Sequence, residues 1–347
     1  MTLVAASTVT KAHGAGVIFA KFPTKDVSLP LGIHAIVVDF EVGTALLHYI
    51  GITRKPVVKF GSTKTIVGGI MSPEVAYFSS RGPSSISPSI LKPDVAAPGV
   101  NILASWSPVS SASTKHGPFN FKLESGTSMA CPHIAAVAAI IKSAHPDWSP
   151  AAVKSAIITT ASVKDEYDQI LVAQGAPYKQ GDPFDYGGGH VDLNTATHPG
   201  LVFDMSIHDH IQFLCSMGYN NSAISHMTRQ NPTECAHHRV SEEQLNLPSI
   251  LIPELTSRAS IWRTVTNVSG VNSVYYANVE SPAGVIVELF PSVLKFNSTV
   301  RKQKFQVVFR SRLKVQGRYS FGSLVWEDGK HVVRVPLIVR IGITISA

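Results

Sequence analysis

The spacing of apolar residues changes twice along this 347-residue chain, so one repeating pattern cannot describe its fold. Over roughly the first 66 residues, apolar strings are broken by glycines. Gly14–Ala20 and Ile33–Val38 read as strands, and Val42–Ile50 as a short helix. From about 65 to 160 the pattern is α/β. Asp94–Gly99 and Asn101–Ala104 suit a buried strand broken by a Pro-Gly turn, and Ser149-Pro150 is a cap and first-turn signal for a helix over 151–160. From about 241 onward the period becomes two. Ile261–Val268, Val274–Val279, Val285–Leu289, Phe305–Phe309, Tyr319–Val325 and Val332–Val339 are separated by turn residues, as in a β-sandwich. Its aromatics Trp262, Tyr275, Phe305 and Trp326 are expected in the core. At 44% apolar residues the chain can bury two or three such cores.

The chemistry points to Gly126-Thr127-Ser128-Met129-Ala130-Cys131-Pro132-His133. A small-residue turn delivers Ser128 onto the first turn of an Ala-rich helix. Gly126 would let a backbone pass close to a reacting group, and a helix N-terminus offers unpaired N–H groups to a developing oxyanion. Ile134, Val137, Ala138 and Ile141 recur at helical spacing, which predicts a packed helix with Cys131 as a small core residue beside the nucleophile. The simpler reading of Ser128 is a helix cap. A third is the nucleophile elbow of another hydrolase class, from Gly126-x-Ser128-x-Ala130 with Asp185, His190 and His198 downstream. Against it, Phe119–Glu124 is too polar for the buried strand that must precede such an elbow.

The net charge is +7, yet the basic residues are dispersed with no run of five, which argues against nucleic-acid binding. No apolar stretch approaches the roughly 18 residues of a membrane span. Gly14 and Gly16 lack the partners of a phosphate loop. His237-His238 lacks zinc spacing, and His208 and His210 would face opposite sides of a strand, so neither a metal nor a cofactor is expected. The segment 1–7 is a poor secretory signal.

Several further motifs follow in order: Phe78-Ser79-Ser80-Arg81-Gly82-Pro83, Leu91–Ala104, Ser125–His133, Asp185–Asp192, Pro199–Asp204 and Arg263-Thr264-Val265-Thr266-Asn267-Val268. Together these resemble the plant subtilisin-like serine proteases, or subtilases, over nearly the whole chain. Ala136 departs from the glycine usual there. The resemblance implies an α/β fold: a partial subtilisin-like parallel sheet with helices over 67–240, preceded by a partial protease-associated domain at 1–66 and followed by a fibronectin-III-like β-sandwich at 241–347. It implies hydrolysis of polypeptides through an acyl-enzyme on Ser128, with Gly126 and Thr127 shaping the turn and Met129 packed beside the nucleophile. The family's Asp-Thr/Ser-Gly and His-Gly-Thr motifs do not occur; His13-Gly14-Ala15 and His116-Gly117-Pro118 are the nearest strings. The chain therefore reads as a C-terminal portion, inactive alone, or as a non-catalytic interaction module. The resemblance also implies a Cys215–Cys235 disulfide. With acceptor triplets at Asn220, Asn267 and Asn297, it implies a secreted protein of the apoplast or cell wall. A full-length form would dimerise through its protease-associated domain.

Overall fold

The computed structural model describes residues 2–20, 32–62, 64, 71–109, 120–175, 179–229, 235, 241–313 and 317–342. The first segment begins with a helix not foreseen from the sequence, α1 (Thr2–Lys11). Strands β1 (Gly16–Ala20) and β2 (His34–Val38) pair in parallel, and α2 (Phe40–Ile52) follows. Asp39 caps α2 by accepting from the Val42 N–H. Gly43 is buried where a Cβ would come 2.5 Å from that of Ala20, so α2 lies directly on β1.

The second segment holds β3 (Glu74–Val75), β4 (Ile102–Ser105), β5 (Phe121–Glu124), α3 (Thr127–Ala144), α4 (Pro150–Thr159), β6 (Val172–Ala173), β7 (Lys179–Gln180), α5 (Pro183–Tyr186) and α6 (Leu193–Ala196). Its strands form two small sheets: β3–β6–β7, parallel at β3–β6, and the antiparallel pair β4–β5. A buried strand over 101–104 is not realised. In β4, half-buried and exposed residues alternate, with Leu103 67% exposed. Helix α4 starts where Ser149 accepts from the Ala152 N–H and donates to Asp204, with Pro150 at its first position. Val153 and Ile157 of α4 pack on Val137 and Ile141 of α3, with Ile134, Ala138 and Trp148 around them.

Gly187-Gly188-Gly189 threads between strand-like residues 94–96 and the end of α4. A Cβ on Gly187 (φ +65°) would meet the Asp94 carbonyl oxygen at 2.3 Å, and one on Gly188 the Ile158 carbonyl oxygen at 2.3 Å. The triple glycine is a packing requirement, because any side chain would pry two backbones apart.

The third segment passes from β8 (Leu201–Val202) through α7 (Ile207–Ser216) and α8 (Asn221–Thr228) into the sandwich. One sheet has the order β12 (Val285–Phe290), β14 (Lys302–Ser311), β10 (Arg258–Asn267), β8. The other runs β13 (Val293–Phe296), β11 (Ser273–Glu280), β15 (Tyr319–Glu327), β16 (Val332–Ile341), β9 (Ile250–Leu255). The inner faces follow the period of two except at the end of β9, where Leu255 follows Ile250 and Ile252 across a register shift, and they fill a core with Tyr275, Phe305, Phe309, Trp326, Val335 and Leu337. Trp262 is the exception to expectation. It points outward, 42% exposed, with the Lys304 ammonium 4.4 Å from its ring centre, because β10 places Ile261 and Arg263 on the inner side.

The sandwich is fastened to the α/β segment. β8 adds to its sheet through Thr266 and Asn267. Phe184 packs edge-on against Tyr319 and Phe321, and the Arg334 guanidinium donates to the Gly188 carbonyl at 3.2 Å.

Candidate active site

Ser128 stands exposed on the first turn of α3. The cap residue is Gly126, which has no side chain to accept from the first-turn N–H groups, so the helix start is bare toward solvent. One turn on, Pro132 lacks the N–H that would bond the Ser128 carbonyl. The His133 ring is engaged: Nδ1 lies 2.8 Å from the Met129 carbonyl. Met129 is half-buried with its sulfur against Gly126.

Steric need for glycine falls elsewhere than the sequence suggested. Gly126 is extended, and a Cβ there would meet Met129 Sδ at an ordinary 3.6 Å. It is Gly99 whose Cβ would come 2.9 Å from the Gly126 carbonyl, and the Gly126 N–H donates to the Gly99 carbonyl at 2.8 Å. Ser125 Oγ accepts from the Asn101 N–H at 2.9 Å, completing the clamp that sets where α3 begins.

A cleft of about 740 Å³ opens beside this turn. Its walls include 71–79, Pro93, 95–101, Gly126, Thr127, Ala130 and Cys131, and His190 and Asp185 also line it. Burial pushes the His190 imidazole below its ordinary pKa, against the raising pull of its Val191 hydrogen bond and Asp192. Asp185 is 2% exposed and fully used: it accepts from Arg81 Nη1 at 2.8 Å, Lys179 Nζ at 2.8 Å and the Asp182 N–H at 2.8 Å. Arg81 also donates to the carbonyls of Ala76 and Gln174, so this pair fixes the cleft wall. Among the described residues, no histidine or carboxylate hydrogen-bonds Ser128 Oγ. Asp185, His190 and His198 are not brought to it, and His116 lies outside the described residues.

Cys131 corrects the sequence reading: it is an exposed free thiol, not a core residue. α3 turns Ile134, Val137 and Ile141 inward, and Cys131, one turn before Ile134, is exposed because it lines the cleft rather than the core. His208 and His210 lie on helix α7, not on a strand, and no cluster of metal-ligating side chains occurs among the described residues. Cys215 and Cys235 are joined by a disulfide that ties α7 to the segment after α8. Asn220 and Asn297 are exposed. Asn267 is 1% exposed, with its amide donating to Gly270 O and Ser273 Oγ and its oxygen accepting from Ser269, so its side chain has no room for a glycan in this fold.

An exposed serine on a bare helix start, clamped from Gly99 and Asn101 and followed by a sandwich that borrows a strand from the α/β segment, defines a subtilase segment joined to a fibronectin-type domain. Residues 52–189 match the subtilase family, and residues 244–339 match a fibronectin type-III domain. The chain is 48% identical to the subtilisin-like protease SBT3.2 of Arabidopsis thaliana over 97% of its own length and 45% of the relative's. For SBT3.9 of the same plant the figures are 45%, 97% and 44%. This chain belongs to the plant subtilisin-like proteases. It spans less than half the length of the curated relatives it matches.

Proposed function

We propose that this chain carries the nucleophile-bearing part of a secreted subtilase that cleaves peptide bonds, with Ser128 as nucleophile and the general base and its orienting carboxylate supplied from outside it. The observation that carries this reading is Ser128 itself, exposed at a helix start whose glycine cap offers no side chain to the first N–H groups, the cap's carbonyl accepting from the Met129 N–H, in a chain related to subtilisin-like proteases. Ser128 Oγ would attack the scissile carbonyl as its proton passes to a histidine. The carbonyl oxygen becomes an oxyanion facing the Ser128 N–H, the amine leaves with the proton, and water releases the acyl group. One oxyanion donor is worth about 3–4 kcal/mol of barrier. Without a base, Ser128 remains a weak nucleophile and the chain alone is inactive.

The remaining assignments follow from the same reading. Residues 1–66 act as part of a protease-associated domain, with a role in substrate access or in dimerisation of a longer form. The Cys215–Cys235 disulfide favours an oxidising compartment, and Asn220 and Asn297 are the triplets left accessible to glycosylation. The test is labelling of the purified, folded chain with a fluorophosphonate probe beside Ser128→Ala. No serine-dependent labelling of the lone chain is expected; strong labelling lost in Ser128→Ala would mean that a base within the chain activates Ser128.

A further inference from the structure

Trp262 does not stand alone on its side of the sandwich. Strand β14 lies between β10 and β12, and its Gln306 sits opposite both Trp262 of β10 and Phe290 of β12. Cross-strand partners share a face, so the three form one row, with two exposed rings (Trp262 42%, Phe290 55%) on either side of an amide. Two strand spacings, about 9.6 Å, separate the ring-bearing strands, a span that matches two linked sugar rings. The α/β segment meets this sheet at its far end, where Val202 of β8 packs on Ala152 and Ala156 of α4, and it meets the other sheet through Phe184. Four cations share the outward side with the row: Lys302 and Lys304 along β14 in one direction, Arg310 of β14 and Arg258 of β10 in the other. Among the outward positions of β10, β12 and β14 the one carboxylate is Glu288, which accepts from Arg310 Nη2 at 3.1 Å. Arg258 is directly opposite Arg310, and a like-charge pair in that position destabilises a sheet; a bound anion relieves it.

We propose that this face binds an acidic polysaccharide, a polymer of uronic acid sugars, laid across β10, β14 and β12. Trp262 and Phe290 each stack on the C–H face of a sugar ring, and Gln306 between them hydrogen-bonds hydroxyls. The Lys304 ammonium lies over the Trp262 indole, 4.4 Å from its centre, so a sugar on the exposed part of that ring brings its carboxylate within reach of a cation. Arg258 and Arg310 meet carboxylates on the other side of the row. Charge complementarity makes the occupant an anion, and the two flat rings one disaccharide apart make it a chain of rings. Single-stranded nucleic acid also offers rings and negative charge. Against it, the Cys215–Cys235 disulfide favours an oxidising compartment outside the cytosol. This binding face does not depend on the role of Ser128.

The test measures binding of the folded chain to immobilised polygalacturonate by biolayer interferometry, with the fully methyl-esterified polymer and oligothymidylate as comparison ligands. Binding to polygalacturonate is expected, weakened at least tenfold by esterification, which removes the carboxylates and keeps the sugar rings. Trp262→Ala and Phe290→Leu leave the net charge of +7 unchanged, yet each should weaken binding at least tenfold. Lys304→Gln combined with Arg310→Gln should do the same. Tyr276→Ala, at an exposed position of the other sheet, should have no effect. Melting temperatures check that each variant keeps its fold, and Phe290→Leu decides alone where Trp262→Ala disturbs β10. Equal binding of the unmodified chain and the ring variants would mean that a basic protein meets a polyanion without a built site, and would overturn the proposal. So would an absence of binding, or binding indifferent to esterification. Binding to oligothymidylate as tight as to polygalacturonate would overturn it too, and would identify the face as one for nucleic acid.

Discussion

Arg263, part of the Arg-Thr-Val-Thr-Asn-Val string, lies 2% exposed with no carboxylate in hydrogen-bond contact. Its guanidinium donates instead to four carbonyls: Leu247 at 3.0 Å, Glu243 at 2.9 Å, Trp262 at 2.9 Å and Ser249 at 3.0 Å. Burial pushes its pKa down to about 9, with the Glu243 carboxylate pulling the other way. The five fixed donors of arginine are what this position uses, since they hold 243–249 against β10 before the chain enters β9. Replacing Arg263 by Met keeps the volume and strips four carbonyls, one buried and three partly buried, of this donor. A loss of about 3 kcal/mol is expected from urea unfolding followed by circular dichroism. Arg263→Lys should recover less than half, because one ammonium cannot reach all four carbonyls. A loss below about 1 kcal/mol in Arg263→Met would show that water replaces the guanidinium without cost.

Along α3, two neighbouring isoleucines separate the covered stripe from the bare one. Ile141 is fully buried against Val153 and Ile157, and Ile140 is 48% exposed. In the isolated chain Ile141→Ala should therefore cost about 3–4 kcal/mol and Ile140→Ala less than about 0.5 kcal/mol, both read as shifts in urea midpoint. Equal costs would mean that the outer stripe is covered in solution, by self-association or otherwise. The same helix shows how far sequence reaches. Its period, its start at the Gly-Thr-Ser turn and its end at His145 were legible, as was the Ser149-Pro150 start of α4, because caps and periodicity are local signals. So were six of the sandwich strands, where the period of two holds; β8, β9 and β13 were not read, two of them being short and β9 being buried on both faces at its start. What could not be read was which stripe of an all-apolar helix is covered, since a period reveals that a face exists and not whether a partner meets it; hence Cys131 was misplaced. Trp262 was misplaced for a related reason: hydrophobic character alone sent it to the core, although strand alternation with Ile261 and Arg263 turns it outward. The clamp from Gly99 to Gly126 spans 27 positions, and no local pattern announces it.

At the scale of the whole molecule, the displaced ionisations set the direction of its response to acid. Burial lowers the His190 pKa. Asp94 is half-buried, which acts to raise its pKa, but the Lys154 and Lys92 ammoniums outweigh this and hold it low. Asp328 is likewise held low, by His331 and by backbone N–H groups, against its own burial. For all three the unfolded chain binds protons more readily than the folded one, so each contributes stability above its unfolded pKa and loses it as pH falls through the folded value. Glu243, raised chiefly by burial, works in the opposite sense: its contribution is present below about pH 4.5 and is lost as pH rises, so it softens the acid limb without reversing it. The melting temperature should accordingly be flat from about pH 7 to 8, begin to fall below about pH 6.5 with His190, and fall again below about pH 4 with the two aspartates. Because His190 joins residues 96 and 162 through backbone bridges while Gly188 beside it anchors Arg334 of the sandwich, the first fall should appear as one transition for the α/β segment and sandwich together. Scanning calorimetry across pH 3–8 on the chain and on His190→Asn checks this. The variant should flatten the limb that begins below about pH 6.5 and leave the lower one in place; an unchanged first limb would place the responsible protonation at another group.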